Sequence, residues 1–431
     1  MSRLGVVGLW HLGATLAAAW SGLGHSVRAV DLDEQTVRRM RDGQAALYEP
    51  GLDDALLASV RAGTLQVSSD PAHIAGCEFV FVALDTPVGD DDGVDVGPVW
   101  NLVDAITPHL SPGAIVVLSS QVPVGTTRRM RERVRAHNAS VEVAYSPENV
   151  RLGQALRSYL EPGHIVIGAD ASAAADALEA LFAPMRAQCF RMDPTSAELV
   201  KHCINSFLAT SISLANHWSD LASAVGATYP TVVAAVRADP RIGQRAYLDP
   251  GIGFSGGTLG RDLRVLDDAC EDKLPGEAPL FGKIWRYNHQ RADTIAKRIA
   301  RGVQGVGGRR VALLGLTYKP GTSTLRRSLP LELAQRLLSS GIDVSVHDPR
   351  ADWSEAAVPD RLNVAATVDD AVRDADLLVV LTAWPEYRAL DLRALAGRMR
   401  QALVYDPTLF FAGRSSDLEA AGFRQLSAAR T

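Results

Sequence analysis

Short apolar runs alternate with longer segments of helical periodicity from Gly5 to about residue 190. The runs are LGVVGL, SVRAVD, FVFVAL, AIVVLSS, EVAYS and HIVIG. Apolar runs of this length, separated by helices, are typical of buried strands in βαβ units, which build a parallel sheet. The pattern therefore predicts an α/β domain in this part of the chain.

The pattern changes to long helical segments between about Pro194 and Ala300. The stretch from Thr195 to Val225 contains neither proline nor glycine, which predicts one continuous helix. After a glycine-rich linker, GVQGVGGRR, the runs VALLGL, DVSVHD, DLLVVLT and ALVYDP restart the alternation. We therefore predict an α/β fold of two Rossmann-like, doubly wound domains joined by a long central helix in a helical region. The boundaries place the three parts at residues 1–193, 194–300 and 301–431.

Composition narrows the class of protein without naming its chemistry. The net charge of -5 over 431 residues leaves no basic field for a nucleic-acid partner. The apolar runs are too short to span a bilayer, and the N-terminus enters a strand pattern at once, so we expect neither a membrane segment nor a signal peptide. Four widely spaced cysteines fit neither a disulfide framework nor a metal site. We expect a cytoplasmic protein without a bound metal.

A glycine turn, GLWHLG, follows the first predicted strand and precedes a helix. Gly8 and Gly13 are the first and last residues of this turn. The next strand ends in Asp31, and at this position a dinucleotide-binding fold has the carboxylate that accepts a hydrogen bond from a ribose hydroxyl. That carboxylate favours NAD over NADP because it would repel a 2′-phosphate. Trp10 stands where a glycine normally lets the backbone approach the pyrophosphate, so its indole must point away or fill that path. On this turn alone, NAD binding and a Rossmann fold without cofactor remain alternatives.

The segment GIGFSGGTLGRD, from Gly251 to Asp262, resembles the active-site segment of the UDP-glucose/GDP-mannose 6-dehydrogenase family. In that family a glycine-rich turn presents a nucleophilic cysteine, followed by Lys-Asp. Here Thr258 stands at the cysteine position, Arg261 replaces the lysine, and Asp262 is kept. Further similar segments extend the resemblance from Gly8 to Phe410: YEPGL, DTPVGDDDGVDV, SQVPVGT, SPENVRLG, DPRIG, LLGLTYKPGTSTLRRS and TAWPEYR.

The predicted central helix carries Lys201 and Asn205, which lie four residues apart and therefore on one helical face. The resemblance implies that both act at the oxidised carbon of a sugar, with Asp262 completing the group and Glu148 as a supporting carboxylate. A lysine and an amide can donate hydrogen bonds to an oxygen that gains negative charge, and a carboxylate can accept a proton or orient water.

The resemblance also implies an NAD site, a sugar-nucleotide site and a homodimer. Residues implied at the cofactor are Gly8, Trp10, Leu12, Gly13, Asp31, Thr86, Ser120, Gln121 and Arg326. Residues implied at the substrate are Phe254, Gly257, Lys319 and Arg241, the last reaching a substrate in the partner subunit. The dimer would form through the central helix, where the apolar positions are Leu199, Phe207, Ile212 and Leu214.

The substitution at Thr258 decides which chemistry is available. Family enzymes form an acid through two hydride transfers and a cysteine thioester, and a threonine hydroxyl is a far weaker nucleophile than a thiol. We therefore predict that Thr258 is a hydrogen-bonding or packing residue and that Cys203 and Cys270 are core cysteines. We predict NAD-dependent oxidation of a sugar-nucleotide alcohol without the thioester route. A redox-neutral epimerase or dehydratase acting on a sugar nucleotide or nucleoside, and a non-catalytic nucleotide-binding subunit, are the alternatives.

Overall fold

The structure is a computed structural model, and it describes residues 1–86, 89, 92–147 and 150–426. It divides into two compact units, Met1–Ile204 and Asn205–Thr431. The predicted residue Glu148 lies outside the described residues.

The described residues of the first unit form an eight-stranded sheet. Its strands are β1 (Arg3–Val7), β2 (Ser26–Val30), β3 (Leu65–Ser68), β4 (Phe79–Val82), β5 (Ile115–Leu118), β6 (Glu142–Tyr145), β7 (Ile165–Gly168) and β8 (Cys189–Met192). The order is β3-β2-β1-β4-β5-β6-β7-β8; β6 and β7 pair antiparallel, and the other neighbours pair parallel. This is the strand order of a Rossmann fold with two added strands. All six predicted runs form strands, whereas β3 and β8 were not predicted.

Helices cover both faces of this sheet. They are α1 (His11–Gly22), α2 (Glu34–Arg41), α3 (Leu52–Arg61), α4 (Gly97–Ile106), α5 (Thr126–His137), α6 (Ala155–Leu160) and α7 (Ser172–Phe182), with 3-10 turns at Pro71–Ile74, Thr107–His109 and Ala183–Met185. Trp20 of α1 is fully buried, with its ring centroid 5.6 Å from those of both Phe81 and Phe182. Because both faces are covered, β4 can be apolar throughout.

Helix α8 (Pro194–Val225) has 32 residues, which confirms the predicted continuous helix. The second unit continues with α9 (Tyr229–Ala238), α10 (Gly257–Lys273), α11 (Leu280–Gly305), α12 (Leu329–Ser339), α13 (Val368–Val372), α14 (Leu392–Arg398) and α15 (Ser415–Ala420). Its 3-10 turns are Trp353–Glu355, Pro385–Ala389 and Ala412–Arg414. Among the described residues, none of the helices is both long and apolar enough to cross a membrane.

As far as residue 426, the second unit forms a six-stranded parallel sheet in the order β11-β10-β9-β12-β13-β14. Its strands are β9 (Arg310–Leu314), β10 (Asp343–His347), β11 (Asn363–Val364), β12 (Leu377–Val380), β13 (Leu403–Tyr405) and β14 (Arg424–Gln425). Ile295, Ile299 and Val303 lie at helical spacing on α11 and join a core that includes Leu333 and Leu337 of α12. The four predicted runs form strands, and this second doubly wound sheet confirms the predicted fold class.

In both sheets, a glycine with positive φ follows the first strand in the chain. Gly8 after β1 and Gly315 after β9 both have φ of +85°. Added Cβ atoms there would lie 2.8 Å from Leu84 Cα and 2.5 Å from Thr382 Cβ, so only glycine allows the strand and the following turn to pack this closely. In each sheet, the carboxylate after the neighbouring strand accepts from the amide after the glycine: Leu9 N to Asp31 Oδ2 is 2.6 Å, and Leu316 N to Asp348 Oδ2 is 2.7 Å.

Candidate active site

In the glycine turn of the first unit, the N-terminus of α1 packs closely against the end of β1. A Cβ at Gly13 would lie 1.7 Å from the carbonyl oxygen of Gly8, so this position requires glycine for the helix to pack on the turn. The backbone N–H of Leu12, in the first turn of α1, points toward Asp85 Oδ2 at 3.5 Å. Amides at a helix N-terminus that follows a parallel strand form the usual pyrophosphate site of such folds.

Trp10 lies at the start of α1 and is half-buried. It lines a cavity of about 200 Å³. The other lining residues are Leu9, Asp33, Gln35, Thr36, Arg39, Met40, Gln44 and Ala46. The residue thus faces α2 and the chain that follows it, and it forms part of a cavity wall.

Asp31 is held in place by the turn that it would serve. Its Oδ2 accepts from Leu9 N, and its Oδ1 accepts from Asp33 N at 2.9 Å. Asp33 in turn accepts from the Thr36 hydroxyl and caps α2 by accepting from the backbone N–H groups of Thr36 and Gln35, and these hydrogen bonds lower its pKa. Two carboxylates therefore lie beside the end of β2, an electrostatic environment that disfavours a 2′-phosphate.

Sequence reasoning did not find the buried pair of His11 and Glu49. The His11 Nε2 to Glu49 Oε1 distance is 2.9 Å, and Glu49 is 3% exposed. Glu49 also accepts from the backbone N–H groups of Gly153 and Ala155, at 2.9 and 3.1 Å. Glu49 thereby fastens the segment after SPENV to the glycine turn. Its place in YEPGL was the only available signal, because the contacts it makes are distant in sequence.

The SQVPVGT segment runs from β5 into α5. Ser120 is fully buried and donates its hydroxyl hydrogen to Val82 O at 3.3 Å. Thr86 donates its hydroxyl hydrogen to Gln121 O at 3.1 Å, which links the ends of β4 and β5. Because β1 and β4 are where the strand order reverses, these ends lie at the position where open α/β sheets bind ligands.

Asn205 and Asp262 form a buried pair in the second unit. The Asn205 amide donates to Asp262 Oδ2 at 2.6 Å, and the two residues are 6% and 0% exposed. Arg261 Nε lies 3.5 Å from Asp262 Oδ1, and its side chain is also buried. Lys201 precedes Asn205 by four residues on α8 and is 7% exposed in the first unit. Asn205 and Asp262, two members of the implied group, are therefore in contact, and Arg261 pairs with the carboxylate.

Thr258 is exposed in the first turn of α10, directly after Gly257. The segment before it is held at two points. Asn288 accepts from Phe254 N at 2.8 Å and donates to Phe254 O at 2.9 Å. Further along, Gly256 N donates to Arg327 O at 2.9 Å. The glycine-rich segment is thus fixed, and a hydroxyl occupies the accessible position in place of a thiol.

Burial makes Cys77 and Cys189 poor replacements for that thiol. Burial raises the pKa of the Cys77 thiol to about 11, and it also raises the pKa of Cys189. Cys270 is half-buried on α10. The prediction that Cys203 is a core cysteine is wrong, because this position lies on the outer face of α8 and is exposed.

The outer face of α8 carries an apolar stripe, defined as Phe207, Leu214 and Leu221 at seven-residue spacing. Their exposed fractions are 69%, 40% and 54%, and Leu199, one turn from the start of α8, is also exposed. Ile212 does not belong to this surface, because it packs inward against Phe254 and Leu263. The predicted dimer surface therefore keeps three of its four apolar residues.

Three further predicted residues lie at the surface or near it. Arg241 follows α9, and its side chain is 89% exposed in a two-point pair with Asp239, which raises the arginine pKa. Lys319 lies with its Nζ 5.9 Å from the ring centroid of Tyr318. Arg326 is exposed in the second unit. Arg241 is thus paired with Asp239 of the same chain, and its role at the substrate stays a prediction.

Three family models together match most of the chain. They describe the NAD binding domain, the central domain and the UDP binding domain of the UDP-glucose/GDP-mannose dehydrogenase family, and they match residues 2–186, 195–290 and 312–411. With the Rossmann order and the glycine turn, this defines an NAD-dependent oxidoreductase, which confirms NAD as the cofactor. The residues around Gly8, Gly13 and Asp31 fit a dinucleotide.

The chain belongs to the UDP-glucose/GDP-mannose dehydrogenase family. A UDP-glucose 6-dehydrogenase of Pseudomonas aeruginosa is 32% identical over 94% of this chain and 92% of the relative. The UDP-glucose 6-dehydrogenase AglM of Haloferax volcanii is also 32% identical, over 94% and 96% of the two chains. The solved structure of a UDP-glucose dehydrogenase from Pyrobaculum islandicum has a TM-score of 0.88 at 31% identity, over 100% of this chain and 98% of that one. The chain is thus an oxidoreductase of the UDP-glucose dehydrogenase type.

Proposed function

We propose that this protein oxidises an alcohol of a sugar nucleotide to a carbonyl with NAD and forms no covalent thioester. The observation that carries the proposal is Thr258, exposed in the first turn of α10 where the family presents its cysteine. A hydroxyl of ordinary pKa does not attack a carbonyl without a strong base, whereas a thiol does so readily. The chain has no cysteine between Cys203 and Cys270 that could take this place.

Bound NAD supplies the hydride acceptor for the reaction. The alcohol carbon loses a hydride, and its hydroxyl proton leaves to a base or to solvent. We assign Lys201 and Asn205 as the donors that stabilise negative charge on the alcohol oxygen. Both side chains are buried, which strengthens such hydrogen bonds by excluding water.

Asp262 orients the Asn205 amide in this proposal. An amide nitrogen carries two hydrogens; one goes to Asp262 Oδ2 at 2.6 Å, and the other is directed to the substrate oxygen. The Arg261 guanidinium beside the second carboxylate oxygen ties Asp262 into an ion pair. A carboxylate with both oxygens in hydrogen bonds or ion pairs is a poor activator of water. We therefore propose that the reaction stops after one hydride transfer, with the carbonyl compound as its product.

The substrate in this proposal is a nucleoside diphosphate sugar bound through the second unit. Lys319, Phe254 and Gly257 are its assigned contacts, and Arg241 is assigned to the partner's substrate. The segment Asp406-Pro407-Thr408 stands where the family resemblance implies Asp-Gly-Arg, and Thr408 donates its hydroxyl hydrogen to Asp406 Oδ1 at 2.8 Å. This closed turn changes one nucleotide contact, so UDP and other nucleoside diphosphates must be compared directly.

The test is turnover of a panel of UDP-, GDP- and dTDP-sugars with NAD, with hydroxylamine present to trap a carbonyl product. We expect one NADH per sugar consumed and an oxime of the sugar nucleotide. NADP in place of NAD is the matched control, and we expect it to support little turnover because of Asp31 and Asp33. An epimerised or dehydrated sugar without net NADH would contradict the proposal. So would a protein that binds no NAD and turns over no sugar.

We also propose a homodimer in a cytoplasmic, reducing compartment, where the four free cysteines would stay reduced. The apolar stripe on α8 supports the dimer, because the repeat of seven matches the seam of two packed helices. An exposed apolar surface of this kind marks a protein interface.

The double substitution Leu214→Lys with Leu221→Lys is expected to convert the dimer to a monomer. Two charges would enter the centre of an interface from which charged residues are normally excluded. Size-exclusion chromatography with light scattering measures the mass. Val364→Lys, at an exposed apolar position on β11, is the matched control and is expected to leave the mass unchanged. A dimer that persists in the double variant would place the interface elsewhere.

A further inference from the structure

Helix α5 begins with a residue that cannot cap it. The N-cap is Gly125, at φ of +91°, and glycine has no side chain to accept from the first amides of the helix. The turn before it, Val122 to Gly125, connects the helix to Gln121 and to the end of β5. The position of Gln121 therefore depends on whatever fixes this turn.

The missing cap is supplied by Glu198 of α8. One carboxylate oxygen of Glu198 accepts from Gly125 N, and the other accepts from both Thr127 N and the Thr127 hydroxyl at 2.7 Å. Glu198 is 0% exposed, so this carboxylate has exchanged its water for three donors at the positive end of a helix. Because the buried carboxylate accepts all three hydrogen bonds, it fixes the position of the turn backbone.

A second side chain of α8 holds the same turn one helical turn further along. His202 is 1% exposed, and its Nε2 lies 2.9 Å from Val122 O. A carbonyl oxygen only accepts, so the histidine Nε2 carries the hydrogen. Because Thr86 donates to Gln121 O and His202 donates to the next carbonyl, the backbone at Gln121 is fixed on both sides.

We propose that Glu198, together with His202, is a positioning residue for catalysis: it locks the Gln121 turn against the part of α8 that carries Lys201. Lys201 lies three residues after Glu198 and directly before His202. The helix thus holds the turn with the residues on either side of its lysine. The proposal rests on the proposed function, which places Lys201 at the reacting oxygen, and it adds a residue that touches neither substrate nor cofactor.

The test compares Glu198→Gln and Glu198→Ala with the unaltered protein. Glutamine keeps one acceptor oxygen and the side-chain shape, but its nitrogen cannot accept. We expect kcat to fall by about 10-fold in Glu198→Gln and about 100-fold in Glu198→Ala, since small misplacements of reacting groups carry costs of this size. The KM for NAD is expected to change far less than kcat: Gln121 is an implied cofactor residue in this turn, but the implied contacts at Gly8, Gly13 and Asp31 lie outside the network.

Asp267→Asn is the matched control, because Asp267 is also a buried carboxylate that caps a helix, accepting from Gly282 N at the start of α11. It is expected to lower the melting temperature and leave kcat unchanged. Glu198 variants that lose only melting temperature, as this control does, would overturn the proposal.

His202 gives a second route if the Glu198 variants fail to fold. His202→Gln keeps a donor for Val122 O, whereas His202→Leu removes it, so we expect kcat to be retained in the first and lost in the second. Equal kcat values in the two would contradict the proposal. Hydrogen exchange at the Gly125 and Thr127 amides, expected to rise in Glu198→Gln, tests the anchor without any turnover. Unchanged exchange would overturn the anchor itself, whereas faster exchange in a protein without dehydrogenase activity would refute only the proposed function.

Discussion

Lys201→Met is expected to lower kcat by about 10²- to 10³-fold, the effect of removing one donor to a developing oxyanion in a buried site. Methionine matches the length of the lysine stem and is suited to a position that is 7% exposed, so folding is expected to be retained. Steady-state NADH production measures the loss, and the melting temperature checks the fold.

Lys297→Met is the matched control, because Lys297 is an exposed lysine on α11. Its kcat is expected to equal that of the unaltered protein. If Lys201→Met lowers kcat by less than about tenfold, Lys201 does not stabilise the reacting oxygen, and the assignment of the catalytic site fails.

Asp262→Asn is expected to reduce the free energy of unfolding by about 3 kcal/mol, in addition to abolishing most turnover. The substitution keeps an acceptor for the Asn205 amide but removes the Asp262 charge that faces the buried Arg261 guanidinium. Removing one partner of a buried ion pair costs more free energy than the pair itself contributes. Urea denaturation measures the loss.

The double variant Arg261→Met with Asp262→Asn separates stability from catalysis. Removing both charges is expected to recover most of the unfolding free energy, because the buried guanidinium is gone. Turnover is not expected to return, because the neutral amide oxygen holds the Asn205 amide with a weaker hydrogen bond than the charged carboxylate does. A single Asp262→Asn variant as stable as the unaltered protein would contradict the ion pair.

The apolar pattern was enough to predict the central strands of both sheets. The strands β1, β4, β5, β9 and β12 are buried on both faces, so they appear as continuous apolar runs. The unpredicted strands are short and lie at or next to a sheet edge: β11 and β14 have two residues each, and all four of those residues are exposed. Their identity depends on pairing with a neighbouring strand, which the pattern of one segment does not contain.

The sequence likewise predicted only part of the candidate site. Asn205 and Asp262 were predicted from the resemblance, and the structure places them in contact. Glu198 and Glu49 were missed, because each serves backbone amides between 71 and 106 residues away in the chain. The outward position of Cys203 could have been predicted, since it lies one helical turn before Phe207 on the same face.

The most direct test of a reaction without a thioester is intact-protein mass spectrometry during turnover. The unaltered protein is expected to show no sugar adduct at any time. Thr258→Cys, which restores a thiol at the exposed start of α10, is expected to accumulate a substrate-dependent adduct. The same adduct on the unaltered protein would contradict the account.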